Sequence, residues 1–167
     1  RERIMAGKEI LLLGNPLLRK SSLAVQEEEF PNVSLWERDL KETLEEFRNL
    51  YGKGRAIAAP QIGLMKRVIY LAWPESTLIV NPILDRFSSD GVILWDDCMS
   101  FPRLLVKVRR ARSCRLTFTT REGEGAVWNL EGDLSELLQH EVDHLNGILA
   151  VERALDRTSF AWGVPPD

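Results

Sequence analysis

Gln139-His140-Glu141-Val142-Asp143-His144-Leu145-Asn146-Gly147 holds both histidines of this 167-residue chain. On a helix His140 and His144 stand one turn apart, so both imidazoles project from the same side. Two neutral ring nitrogens then lie where one divalent cation can take both. Glu141 sits beside the pair and can reach a water at the cation without ligating it. An amphipathic helix with two surface histidines would show the same spacing, so the third ligand decides.

Downstream, the only nearby acidic candidates are Glu152 and Asp156, both very close after the second histidine. Upstream, Asp96-Asp97-Cys98-Met99-Ser100-Phe101-Pro102 offers a thiolate between a strand and a loop. A lone cysteine is ordinarily a buried apolar residue. With His140 and His144 awaiting a third donor, the ligand reading takes precedence. Cysteine with two histidines and water in the fourth position is an open catalytic set rather than a closed structural one.

Working outward, Gly132-Asp133 opens the metal helix, with Asp133 and Glu136 as a capping box and Leu134, Leu137, Leu138 and Leu145 on its buried side. Before it, Val68–Leu71 and Leu78–Val80 read as strands, each closed by a following proline. Ile83–Phe87 and Val92–Trp95 read as a pair around the turn Ser88-Ser89-Asp90-Gly91. Leu104–Val108, Cys114–Thr119 and Ala126–Leu130 continue the sheet. Ser34 and Glu37 form a capping box for an earlier helix, whose Trp36, Leu40, Leu44, Phe47 and Tyr51 recur at helical spacing before Gly52. Gln26–Asn32 reads as a polar loop and Thr158–Asp167 as an irregular tail. The fold class is α+β, with antiparallel strands and two principal helices.

Residues 1–167 are 44% hydrophobic, enough for one domain with its own core. A formal net charge of −3 argues against nucleic acid as a partner. No run is long enough to span a membrane. Cys98 and Cys114 make no disulfide framework, which points to a reducing, cytoplasmic setting; Arg1 in first place leaves room for a removed organellar targeting peptide.

Three motifs carry a resemblance. Residues 54–61, Gly-Arg-Ala-Ile-Ala-Ala-Pro-Gln, resemble Gly-x-Gly-x-Ala-Ala-Pro-Gln; residues 96–100, Asp-Asp-Cys-Met-Ser, resemble Glu-Gly-Cys-Leu-Ser; residues 139–144 match Gln-His-Glu-x-Asp-His in full. Over nearly its whole length the chain resembles the peptide deformylases, which implies antiparallel β-sheets packed around a central metal-binding helix. The resemblance implies a hydrolase that removes the formyl group from formylmethionyl peptides and releases formate. It implies one divalent cation on Cys98, His140 and His144, Fe²⁺ being usual and Zn²⁺ or Ni²⁺ able to substitute. Glu141 is then the proton carrier, and the Gln61 amide and the Met99 backbone N–H face the oxyanion.

The resemblance also implies a peptide that adds as a strand beside Gly54, Ala56, Ile57 and Asp97, with the methionine pocket at Arg55, Leu94 and Asp133. Four departures stand out: Ala56 and Asp97 replace glycines, and Arg55 and Asp133 put charge where the family has apolar groups. They raise an alternative in which another formylated amine, peptide or small molecule, is the substrate. A second alternative is a non-catalytic metal-binding protein. No nucleic-acid or membrane partner is expected, and the chain is expected to act as a monomer. Asp96 is a candidate acceptor for the free N–H of a ligating histidine, and Asp143 a candidate partner of Arg110.

Overall fold

The computed structural model describes residues 7–166; residues 1–6 and 167, the ends of the expected single domain, lie outside them. In chain order the main elements are α1 (Val33–Tyr51), β1 (Ala56–Ala58), β2 (Val68–Leu71), β3 (Thr77–Asp85), β4 (Gly91–Cys98), β5 (Phe101–Ala111), β6 (Ser113–Thr119), β7 (Gly125–Glu131), α2 (Gly132–Leu145) and β8 (Phe160–Trp162). They form a five-stranded sheet ordered β1-β2-β3-β6-β7 and a three-stranded sheet ordered β4-β5-β8, every named pair antiparallel. The α+β class with sheets about a central helix is what the sequence predicts.

The continuous apolar run Val68-Ile69-Tyr70-Leu71 follows from burial on both faces. Ile69 and Leu71 join Leu138, Val142 and Leu145 of α2, while Val68 and Tyr70 join Leu40, Leu44 and Phe47 of α1. The five-stranded sheet is thus sandwiched between the helices at its β1-β2-β3 end. Leu138 and Leu145 are fully buried, each contributing about 1.5–3 kcal/mol. α1 ends where Gly52 adopts φ 71° and donates to the Arg48 carbonyl at 2.8 Å.

Several local expectations are corrected. Leu78–Val80 and Ile83–Phe87 are not two strands: β3 runs through Pro82, because a register break between Val80 and Ile83 puts the proline where no ladder bond is needed. Asn81 sits there at φ 50° and its side chain bonds the Val25 N–H and carbonyl at 2.8 and 3.0 Å. The turn Ser88–Gly91 does not close a hairpin; β3 pairs with β6, and β4 passes to the other sheet to pair with β5. Gln26–Asn32 holds a 3-10 helix, Glu27–Asn32, rather than a loop, and the tail contains β8 on the edge of β5. Neither expected capping box forms. α1 starts at Val33 after Asn32 and α2 at Gly132 after Glu131, with no side-chain cap on either.

Candidate active site

The last residue of β4 is Cys98, and α2 passes beside it. Cys98 Sγ lies 3.3 Å from His144 Nε2, which lies 3.2 Å from His140 Nε2. These three ligand atoms all fall within 4.8 Å of one another, and all three residues are buried. Two ring nitrogens at that separation share at most one proton, so lone pairs converge on a common point. A divalent ion with tetrahedral bonds of about 2.0–2.3 Å needs ligand atoms about 3.3–3.8 Å apart. The donor set fits such an ion.

The orientation of His140 is fixed from behind. Its Nδ1 lies 2.9 Å from Asp96 Oδ2, which fixes the Nδ1–H tautomer and leaves Nε2 as the ligand atom. Asp96 is bonded in turn by Arg110 Nη2 at 3.0 Å, and Arg110 Nη1 reaches Asp143 Oδ2 at 2.6 Å. Arg153 closes this chain on Asp143 at 2.6 and 2.8 Å. Burial works to raise the Asp96 carboxyl, but His140 and Arg110 outweigh it and hold it well below the usual carboxylate range.

Glu141 is 4% exposed, and its Oε2 has no hydrogen-bond partner among the described residues. Burial pushes its carboxyl up to about 7, a value suited to taking and returning a proton near neutrality. Gln61 lies in the 3-10 turn after β1. Its Oε1 accepts from the Ala58 N–H at 3.0 Å, so its NH₂ faces Ser100 Oγ at 3.2 Å and Cys98 Sγ at 3.6 Å. The Ser100 N–H also points to Cys98 Sγ, at 3.5 Å.

A cleft of about 380 Å³ opens above this group. Of the substrate positions expected from sequence, Gly54, Arg55, Ala56 and Asp97 line it, as do Gln61 and Met99. Three others do not. Ile57 is fully buried against α1, Leu94 packs on Val106 and Val108 of the small sheet, and Asp133 is exposed in the first turn of α2. In their place stand Glu136 and Leu137, and Phe47 and Lys53 line the cleft as well. Glu136 is four residues before His140 and Leu137 four before Glu141, so the helical period already put them on the cleft face.

Two charged pairs line this cleft. Arg55 Nη2 bonds Glu136 Oε1 at 2.9 Å and its guanidinium lies 5.5 Å from the Trp73 ring centroid. Lys53 Nζ meets Asp97 Oδ2 at 2.9 Å. Burial raises the Glu136 carboxyl against the pull of Arg55.

A family model described as polypeptide deformylase matches residues 7–159. The chain belongs to the peptide deformylase family. It is 35% identical over 170 residues to peptide deformylase 1 of Prochlorococcus marinus, covering 95% of this chain and 86% of that protein. The crystal structure of peptide deformylase from Thermotoga maritima superposes with a TM-score of 0.82 at 27% identity, over 89% of this chain and 98% of that one. A Met-Ala-Ser-bound class I type b peptide deformylase from Acinetobacter baumannii gives 0.80 at 31% identity, over 90% and 99%. As a peptide deformylase the protein is a metal-dependent hydrolase of protein biosynthesis that removes the N-formyl group from peptides.

Proposed function

We propose that this deformylase works through Cys98, His140 and His144 as metal ligands, Glu141 as proton carrier, and Gln61 with the Met99 backbone N–H as oxyanion donors. One observation carries the reading: three buried ligand atoms converge beside an unpartnered buried carboxylate. Bound there, a divalent cation supplies Lewis acidity toward water and the formyl oxygen. Glu141 takes the proton from the attacking water and returns it to the departing amine, so charge inside the buried site stays balanced. The Gln61 amide is held with its N–H groups toward the Cys98 side by the Ala58 bond, ready for an oxygen that gains negative charge. The ion is Fe²⁺ on the family resemblance, with Zn²⁺ and Ni²⁺ accepted by the same donors.

The substrate is a formylmethionyl peptide, laid along Gly54, Arg55 and Ala56 with its first side chain toward Leu137 and the aliphatic stem of Arg55. The Arg55–Glu136 pair favours a second reading, in which a polar first residue is preferred over methionine. A polar side chain can hydrogen-bond this pair, whereas a thioether only strips its water. One domain acting as a monomer in the cytoplasm completes the proposal. Both cysteines are unpaired and buried, as suits a reducing compartment. Among the described residues no helix is long and apolar enough to cross a membrane.

The test is formate release by Fe²⁺- and Ni²⁺-loaded protein from formyl-Met-Ala-Ser, beside formyl peptides that begin with Gln, Glu or Lys. Release that Glu141→Ala abolishes supports the residue assignment, and the order of kcat/KM among peptides chooses between methionine and a polar residue. Release unchanged in Glu141→Ala sinks the assignment.

A further inference from the structure

A second cavity of about 490 Å³ lies on another side of α2 and shares no lining residue with the cleft. Gln139, Val142, Asp143 and Asn146 face it, a stripe at i, i+3, i+4 and i+7 distinct from the ligand face. Arg67, Arg109, Arg110 and Arg153 also line it, against the single carboxylate of Asp143. In a chain of formal net charge −3 this is a local reversal of sign. Asp143 is already taken by Arg110 and Arg153, and Arg110 also by Asp96.

Arg67 and Arg109 are different. Neither has an ion-pair partner among the described residues. Each is held by a carbonyl, Arg67 Nη1 by Leu145 O at 3.1 Å and Arg109 Nη2 by Ser89 O at 3.3 Å, which leaves the rest of each fork open. Ile83 and Phe87, 63% and 54% exposed, line the same cavity. Single exposed apolar side chains are ordinary. Two of them beside two uncompensated guanidinium groups in one concavity form the mixed lining of a ligand site.

We propose that this cavity is a second ligand site for a small carboxylate or phosphate carried on an apolar or aromatic body. Arg67 and Arg109 hold the anionic head, and Ile83 and Phe87 cover the body. The test is calorimetric titration of the metal-loaded protein with phenyl phosphate, benzoate and inorganic phosphate. Phenyl phosphate or benzoate binds, inorganic phosphate at least about tenfold more weakly, and affinity falls as salt is added. Whichever aromatic probe binds better identifies the head group. Arg109→Gln and Phe87→Ser each weaken binding about tenfold, with formate release from a formyl peptide unchanged. Absence of binding by both aromatic probes, or wild-type affinity in both variants, overturns the proposal, since binding would then lie elsewhere, including at the metal ligands. Inorganic phosphate binding as well as phenyl phosphate overturns it too.

Discussion

Gln61 shows how one buried amide can be committed to a task by its neighbours. Its oxygen is occupied by Ala58 and its NH₂ is turned to Ser100 and Cys98, so the donor end is defined by the bonding rather than by chance. Gln61→Ala is expected to lower kcat by about a hundred- to thousand-fold, with a much smaller change in KM. A loss confined to KM would remove Gln61 from the chemistry. Gly147, the last residue of the run that opens the sequence reading, carries a different constraint. It sits at φ 72°, and a Cβ placed there would lie 2.6 Å from the Arg19 carbonyl carbon and oxygen. Gly147→Ala should destabilise the fold by about 1–3 kcal/mol in urea unfolding; an unchanged midpoint would show that the Arg19 segment gives way freely. Residues of this kind were legible where the chemistry is local. His140, Glu141 and His144 are one helical turn of sequence, and the helix delivers what the spacing promises. Leu94 and Asp133 were not, because which wall of a cleft a side chain joins depends on packing between elements far apart in sequence.

α2 is the element on which the two halves of the molecule meet, and its faces divide the labour: Glu136, His140 and Glu141 toward the cleft, Leu138 and Leu145 toward the large sheet, Asp143 toward the arginines. The expected capping boxes fail for a reason visible at this scale. Glu37 is drawn to Arg121 at 2.9 Å and Glu136 to Arg55 at 2.9 Å, charged partners 84 and 81 residues away that outbid a local backbone N–H. The Ser88–Gly91 turn misleads similarly. Its composition suits a hairpin, but Asp85 is held by Arg115 on β6 at 2.6 and 2.8 Å, and the chain leaves for the other sheet. Turn chemistry is written locally; strand partners are not. The ladder from Arg110 through Asp96 to His140 is likewise assembled from three elements, though Asp96 and Arg110 could each be named in advance. Asp96→Asn keeps the shape but removes the charge that fixes the His140 tautomer, so Asp96 is a positioning residue. It should weaken metal retention about 10–100-fold against a competing chelator while leaving the far-UV spectrum unaltered. Undiminished retention would make the Asp96 bond structural only.

Across the whole molecule the proposed ligand set is also a joint. Cys98 ends β4 in the three-stranded sheet, whereas His140 and His144 ride on α2, which packs against the five-stranded sheet. A cation held by all three therefore ties the small sheet to the rest of the core, and its removal leaves converging lone pairs and the buried Glu141 carboxylate without their positive charge. Two consequences follow from linkage. The metal-loaded protein should unfold at higher temperature than the stripped protein, and the gap should grow with the logarithm of free metal, about 1.4 kcal/mol per tenfold excess over Kd. The loss on stripping should also be local. Amide exchange in the β4–β5 turn around Cys98 and Phe101 is expected to accelerate strongly, while the β6–β7 hairpin, paired over seven registered positions from Ser113 to Thr119, keeps its protection. Uniform acceleration across both sheets would mean that the cation stabilises the fold globally without acting as the clasp between its layers. In Cys98→Ser protein the exchange pattern should match that of the stripped wild type even with metal present, because the two histidines alone anchor the ion to α2 and leave β4 untethered.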